Sequence, residues 1–438
     1  MTYEQLQTRL KELMDTNPMS TYQIIIVALC FILNFNDGID VLVVSFTGSE
    51  IANEWGLSKS ELGYIFSAGL AGMTAGCFLL APLGDKIGRR KIFLVSLVLI
   101  TSGMLLAYGV TSYAQLLTLR VLTGLGIGGI LPNLATVAAE FSNTKRRDFS
   151  VGLVQAGWPL GAILTGFFTT WAVPEFGWRF AYLAAGLVSL VMLVGVYIFM
   201  PESLAFLGKH QPKNAKNKIN AILKKMNQEG IEQLPVKPHD TQPVPLKDLF
   251  SPLYIASTLR LWIGIFFGFL TLYTLMSWVP NIAKESGMPF EMATLVGTAL
   301  NFGAFAGVFV MGMCITRFGI RKVLLGFMLT AFAIMLIYGN YRLTPLLMFV
   351  LTFFIGFFVQ GGFNAFYPAA TRIYPANMRS TGVGLAMGVG RFGAILGPAL
   401  FGIFSDWGLA VTTLFSLFSV PLLVAGFMAY SIPSKNVN

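Results

Sequence analysis

Twelve apolar stretches, each long enough to cross a bilayer as a helix, occupy most of this chain: 22–46, 60–82, 92–110, 115–139, 150–173, 179–200, 258–280, 292–315, 323–340, 345–371, 382–404 and 410–431. Such runs leave few options, because in hydrocarbon a helix satisfies its own backbone polar groups and an open strand does not. The runs do not alternate polar with apolar and are twice the length of a barrel strand. Only 11% of the 438 residues are charged, against about 25% in a soluble domain. A water-soluble fold, a disordered chain and a disulfide-stapled module are thereby excluded, and the expected fold is an all-α polytopic membrane protein. Cys30, Cys77 and Cys314 lie inside apolar runs without paired spacing and read as small hydrophobes. The first run follows a polar head and lacks a small-residue cleavage pattern, so it is expected to be a span and not a removable signal.

Lys and Arg set the orientation. Of 30 such residues, 24 fall in one set of loops and both ends, four (Lys59, Arg179, Lys284, Arg342) in the alternate loops, and Arg120 and Arg391 within spans. This asymmetry puts both termini and the long central loop in the cytoplasm. The net charge of +10 therefore reports topology and contact with anionic headgroups, and no nucleic-acid partner is expected. The expected location is the inner membrane of a bacterium, with the bilayer as solvent and the chain a monomer. The expected divisions are a cytoplasmic segment 1–20, a six-helix bundle 21–202, a cytoplasmic linker 203–252, a second six-helix bundle 253–431 and a tail 432–438. Within the linker, Ile219, Ile222, Leu223 and Met226 recur at helical spacing among lysines. That pattern predicts a basic amphipathic helix on the inner membrane face. Pro235, Pro238, Pro243 and Pro245 then mark an extended tether.

The two halves echo each other. Asp85-Lys86-Ile87-Gly88-Arg89-Arg90-Lys91 follows the second span and Thr316-Arg317-Phe318-Gly319-Ile320-Arg321-Lys322 the eighth, at an offset of 231. Gly161-Ala162-Ile163-Leu164 recurs as Gly393-Ala394-Ile395-Leu396, at an offset of 232. Six spans per copy make the repeats parallel, a transporter architecture with its substrate site between the halves near the midplane.

The loop Gly84-Asp85-Lys86-Ile87-Gly88-Arg89-Arg90 resembles the signature loop of the major facilitator superfamily, as does Arg120-Val121-Leu122-Thr123-Gly124 followed by Glu140 and Arg146-Arg147. More narrowly, Asp37-Gly38-Ile39-Asp40 resembles the first-span element of the aromatic acid:proton symporters. Pro201-Glu202-Ser203, Arg379 and Arg391 fit the same family. Ala81 stands where the signature loop usually has Gly, and Thr316 where its second copy commonly has Asp. The resemblance implies two six-helix bundles with pseudo-two-fold symmetry. It also implies a cytoplasmic gate involving Asp85, Gly88, Arg89, Glu140, Arg146 and Arg379, whose ion pairs close the inner side in the outward-open state. A solvated charge run is the plainer alternative for those residues.

Charges inside spans carry the functional argument. Each mid-span acid costs about 2.5–3.5 kcal/mol on insertion scales, so Asp37 and Asp40 together cost about twice that before any partner is counted. At i and i+3 they share a helical face, and two carboxylates so close resist simultaneous ionisation. Gly38, with Asn34 and Asn36 just before, suggests a locally irregular helix lining a wet cavity. Arg120 is at similar depth and is the expected partner, as a fixed structural ion pair or as a cation that exchanges between an Asp and the substrate. Arg391, with no acid nearby on its own helix, is expected to meet a carboxylate, the plainer reading being a bond to backbone carbonyls. Gln155, Trp158, Tyr273, Trp278, Asn301, Phe305, Gln360, Asn364 and Tyr367 are the candidate pocket; most aromatics in a chain with 38 Phe face lipid or core, so the amides and Tyr367 weigh more.

Other patterns lead nowhere. Gly124-Leu125-Gly126-Ile127-Gly128-Gly129 lies inside a span and reads as packing glycine. Gly157-Trp158-Pro159 lacks the Gly-Pro order of drug antiporters. His210 and His239 both fall in the central loop, so neither a metal site nor a His-based triad is expected in the membrane. No cofactor, enzymatic cluster or nucleotide-hydrolysing motif is expected. The resulting expectation is proton-coupled uptake of a small aromatic carboxylate such as a benzoate or hydroxybenzoate, with protons as coupling ion. Proton-coupled efflux of amphipathic compounds on the same fold is the alternative.

Overall fold

The computed structural model describes residues 3–16, 18–234, 249–341, 343–374 and 378–433. The tether prolines, His239 and Arg342 lie outside these residues. A cytoplasmic helix, α1 (Tyr3–Thr16), precedes the spans α2 (Thr21–Trp55) and α3 (Lys59–Leu79). A short α4 (Leu83–Ile87) leads into α5 (Arg89–Ala107), α6 (Tyr113–Glu140), α7 (Arg147–Phe176) and α8 (Trp178–Phe199). Two short helices, α9 (Leu204–His210) and α10 (Ala215–Lys225), occupy the linker. The second half comprises α11 (Ile255–Glu285), α12 (Phe290–Phe318), α13 (Ile320–Asn340), α14 (Pro345–Asn364) with α15 (Phe366–Ile373) completing its span, α16 (Arg379–Asp406) and α17 (Val411–Ser431). Among the described residues, twelve helices are long and apolar enough to span a membrane, as expected. The first is longer than its apolar run: α2 has 35 residues, about 50 Å at 1.5 Å per residue, well beyond a hydrocarbon core of about 30 Å.

Local sequence fixes the span ends. The Ser20 side chain accepts from Gln23 N and the Gln23 side chain from Ser20 N, and Ser58 and Glu61 make the same reciprocal pair at the start of α3. Gly56, at φ 63°, ends α2 in the left-handed conformation.

Packing reproduces the sequence repeat. In the first half α2 packs on α7, α3 on α6 and α5 on α8; in the second, α11 packs on α16, α12 on α14 and α13 on α17. Glycines permit the closest of these approaches. A side chain at Gly72 would strike Val121 O, at Gly124 Gly69 O, and at Gly161 Phe35 O. The counterparts Gly303, Gly356 and Gly393 meet Phe353 O, Leu300 O and Phe266 O. In hydrocarbon no solvent effect drives helices together, so backbone proximity of this kind supplies the van der Waals attraction. The bundles meet through α3 on α16, α7 on α12 and α2 on α11.

One expectation is overturned. The apolar stripe of α10 does not face lipid: Ile219, Leu223 and Met226 are buried in the protein. α10 packs on α9, which contributes buried Leu204 and Leu207 and itself contacts α1 and α4. Leu6, Leu10 and Leu13 of α1 are buried as well. The period-3.6 pattern identified an amphipathic helix correctly, but it could not say which apolar surface covers it. Lys225 lies over the Tyr22 ring, and Asp15 accepts from Thr144 N and Thr144 Oγ1, so these helices close over the cytoplasmic end of the first bundle.

Gly124→Val should lower the melting temperature in detergent, or abolish recovery of folded protein, because backbone lies where the new side chain must go; overpacking of this kind costs about 1–3 kcal/mol. Gly152→Ala, on the same fold but in open space, should melt with the parent. Equal melting of both variants would count against the seam.

Candidate functional site

The two first-span acids sit where α2 closely approaches α7. A side chain at Gly38 would strike Trp158 O. The irregularity expected here is absent: α2 is an unbroken helix, and Gly38 serves close approach instead. Asp37 and Asp40 are buried, as are Asn36 and Arg120. Neither carboxylate oxygen of Asp37 has a hydrogen bond, although the Trp158 side chain is within reach. Asp37 borders a cavity of ≈ 10 Å³ with Leu33, Asn36, Leu97, Ile100, Ile127, Ile130 and Leu131. Asp40 Oδ2 accepts from Asn36 Nδ2 at 3.2 Å, while Oδ1 is unpartnered.

Arg120 meets Asp40 differently from expectation. Its Nη1 donates to the Asp40 backbone oxygen at 3.1 Å and its Nε has no partner. The guanidinium fills the space that a side chain at Gly69 would take. A small residue on α3 thus lets a cation from α6 reach the main chain of α2 without closing an ion pair on the carboxylate. Its charge still acts on Asp40, as does that of Asp37.

Arg391 projects from α16 into the seam between the bundles. Its Nη1 contacts the Met73 sulfur, a weak acceptor. Asp37, Cys77, Tyr273 and Tyr367 lie within its field. The structure therefore brings Asp37, Trp158, Tyr273, Tyr367 and Arg391 into one region fed by both bundles. A cavity of ≈ 20 Å³ just outward of it is lined by Val41, Ser45, Gly69, Met73, Arg120, Tyr273 and Ser277 among others. That is room for about one water and not for an aromatic ring.

The remaining pocket candidates are more dispersed. Gln155 is exposed, with a long contact from Asn34 Nδ2 at 3.5 Å. Asn301 is buried and donates to Gly297 O, leaving its Oδ1 unpartnered. Gln360 Oε1 is likewise unpartnered, and Asn364 Nδ2 donates to Gln360 O. Phe305 packs edge-on against Phe309 of its own helix. Trp278 is spent on structure: its Nε1 donates to Pro398 O at 3.0 Å, and its ring contacts Phe66 and Phe401.

Several polar contacts join the bundles on the outer side. Lys284 pairs with Glu50 and Lys59 with Glu285. Asp406, at the end of α16, accepts from Lys59 N at 2.9 Å and Ser60 N at 2.8 Å, capping a helix of the other bundle. Ser45 Oγ donates to Met276 O and Ser277 O, and Ser67 Oγ to Ile395 O. At the cytoplasmic side Arg89 meets Glu140 and Asp85 within the first bundle, and Ser203 Oγ donates to Glu140 Oε2. Gly88, at φ 107°, leaves room for the Glu202 carboxylate, which accepts from Arg90 N and Ser203 N. Arg146 is exposed, and the Arg379 side chain lies outside the described residues. The two bundles are thus joined across the outer side.

Sequence reasoning missed the outer closure. A signal existed: Lys59 and Lys284 are two of only four outer-loop cations, and Glu50, Glu285 and Asp406 flank the same loops. Among the described residues, no group of three or more His, Cys, Asp or Glu could hold a metal ion.

The sequence matches the family model described as the Major Facilitator Superfamily over residues 27–309 and 261–436. It is 32% identical to a gallate transporter of Pseudomonas putida, over 95% of this chain and 93% of that one. It is 31% identical to a 4-hydroxybenzoate transporter of Acinetobacter baylyi over the same shares. A benzoate transport protein of that organism is 26% identical, over 90% of this chain and 86% of the other. Among solved structures, a D-xylose–proton symporter superposes with a TM-score of 0.74 at 16% identity, covering 95% of this chain and 99% of that one. A bacterial homolog to the human lysosomal transporter Spinster, inward-facing and unoccupied, gives 0.71 at 15% identity, covering 96% and 98%. At these identities the two structures establish the shared fold alone.

Lys284→Glu sets like charges together at the outer seam. In a background without native cysteines, Ser45→Cys should then react several-fold faster with a membrane-impermeant thiol reagent applied outside, and adding Glu50→Lys should restore the slower rate. Equal rates in all three proteins would show that this pair does not hold the outer side shut.

Proposed function

Because this chain belongs to the major facilitator superfamily, among its aromatic acid transporters, we propose that it takes up a small aromatic carboxylate together with protons by alternating access. The observation that carries this reading is Arg391: a guanidinium in the seam between the bundles, committed to a thioether and to no carboxylate. A mid-membrane cation is stable beside water, an anion or backbone carbonyls, and the contact of Arg391 with a weak thioether acceptor leaves it able to take an anion. A benzoate-like carboxylate supplies that anion in a charge-assisted contact, and Tyr273, Tyr367 and Trp158 offer ring faces and hydroxyls around it.

Coupling follows from the acids on the other side of the seam. An anion entering a negative-inside cell works against about 2.3 kcal/mol per charge per 100 mV. One proton carried with it cancels that penalty, and further protons add drive. The proton resides on the Asp37/Asp40 pair, where burial and mutual repulsion oppose double ionisation. With substrate on Arg391 and a proton on the pair, the seam carries less uncompensated charge and the bundles can rock. The outer ion pairs are part-exposed, and such pairs are individually weak, typically 0–1 kcal/mol, so they can break in each cycle. The protein acts as a monomer in the bacterial inner membrane with both termini in the cytoplasm. It catalyses no covalent step and uses protons alone as coupling ion.

In proteoliposomes with an imposed pH gradient, a panel of labelled benzoates should identify a substrate that accumulates against its own gradient. Asp40→Asn should abolish that accumulation while retaining substrate exchange without a pH gradient; full accumulation by the variant would remove the proton role. Arg391→Lys should raise the KM for the same substrate about tenfold or more, because a point charge cannot reproduce a bidentate contact. An unchanged KM would place the carboxylate elsewhere.

A further inference from the structure

Asp40 has one hydrogen-bond partner for its carboxylate, and that partner is itself held. Asn36 Nδ2 reaches Asp40 Oδ2 at 3.2 Å and Ser189 Oγ at 3.0 Å, while Ser189 Oγ donates back to Asn36 Oδ1 at 3.2 Å. All three residues are buried, Asp40 and Ser189 fully. Asn36 comes from α2, one turn before the acid, and Ser189 from the middle of α8, with only apolar neighbours on either side of it in sequence. A lone hydroxyl there is explained by the amide it grips.

An amide has a property that no charged partner has: donor and acceptor sit on one planar group and exchange places by a half-turn. With Nδ2 toward Asp40, the orientation in this structure, it serves the ionised acid as donor. With Oδ1 toward Asp40 it accepts a hydrogen bond from the O–H of the neutral acid. Ser189 suits both arrangements, since a hydroxyl donates and accepts at once and can follow the amide through its turn. Neither Asn36 nor Ser189 gains or loses a proton in this exchange. The proton arrives at Asp40 from the aqueous side that is open and leaves to the other.

The charged and titratable groups around this unit are few. Asp37 on α2 and Arg120 from α6 act directly on Asp40. Tyr182 from α8 lies in the field of Arg120. Cys77 from α3, Tyr273 from α11 and Arg391 from α16 cluster on Asp37 instead. From α7 come the uncharged Trp158 and Ala162.

We propose that Asn36, braced by Ser189, is a positioning residue for the coupling proton, keeping Asp40 hydrogen-bonded in both its ionised and its neutral form. The inference rests on Asp40 as the coupling acid. It assigns to α8, a helix outside the substrate seam, a part in proton coupling.

The test uses the full chain in proteoliposomes and the substrate selected from the benzoate panel, with two readouts: exchange without a pH gradient, and the pH midpoint of gradient-driven uptake. Asn36→Leu removes the donor to ionised Asp40. Its midpoint should rise by about one unit, the tenfold change in proton affinity expected for a hydrogen bond to a charged group, with exchange retained. Ser189→Ala should shift the midpoint in the same direction by less, and the double variant no further than Asn36→Leu, since Ser189 acts through Asn36. If Asn36→Leu does not fold, Ser189→Ala decides alone. A midpoint unchanged in Ser189→Ala, or additive shifts in the double variant, would overturn the proposal. Asp40→Asn separates the two levels: if it still accumulates substrate, the reading of Asp40 fails, whereas if it does not and Ser189→Ala behaves as the parent, only the Asn36–Ser189 assignment fails.

Discussion

Ionisable groups in a low-dielectric interior find a partner, give up their charge or destabilise the fold, and this molecule holds four of them near mid-membrane without closing a single salt bridge among them. Asp37 has no hydrogen bond, Asp40 has one from a neutral amide, Arg120 rests on a backbone carbonyl and Arg391 on a thioether. Direct pairing of Asp40 with Arg120 would satisfy both and cost the cycle its mobile charge. The arrangement keeps opposite charges within each other's field but short of contact. That is the condition under which a proton or a carboxylate alters the balance. The residual cost is borne by dense packing elsewhere.

That packing is distributed symmetrically. Glycine contacts at Gly72, Gly124 and Gly161 recur at Gly303, Gly356 and Gly393. Each bundle is therefore locked at helix crossings where backbone meets backbone, and such crossings deform little. Motion is left to the seams, where α3 meets α16 and α7 meets α12. The outer closure has the opposite character: partly exposed ion pairs, a helix cap borrowed from the other bundle by Asp406, and a few hydroxyls donating to backbone. On the inner side, Arg89, Glu140 and Asp85 pair within one bundle. There they brace the signature loop.

The spans, their orientation and the duplication were legible because they rest on properties that act locally or sum along the chain: apolar run length, the side on which Lys and Arg fall, and repeated residues at a constant offset. Asp37, Asp40, Arg120 and Arg391 stood out because an isolated charge in an apolar run is expensive wherever it points. What the sequence could not supply was direction and juxtaposition. The stripe of α10 announced an apolar contact without saying that α9, and not lipid, provides it. Gly38 looked like a break in α2 because a glycine is a weak helix former, yet α7 presses there and only hydrogen fits. Arg120 was assigned to a carboxylate and reaches a carbonyl, a difference of one atom type that depends on the space left by Gly69. The outer gate joins residues 226 or more apart in sequence, beyond any periodicity argument.

The division of the charges between rigid units suggests why proton and substrate move together. Asp40, Asn36, Ser189 and Arg120 all belong to the first bundle, so their spacing is preserved when the bundles rock. Asp37 and Arg391 belong to different bundles, and rocking changes their separation. One acid therefore has a constant environment and the other a conformation-dependent one, while a single helical turn couples the two electrostatically. If the substrate binds as proposed, a carboxylate arriving on Arg391 would weaken the attraction that this cation exerts on Asp37 and so favour a proton on the acid pair. A proton on the pair would in turn remove a negative charge that competes with the substrate for Arg391. Each ligand would then increase the affinity for the other through Asp37, and the reciprocity required of linked binding would be met by one acid on one helix.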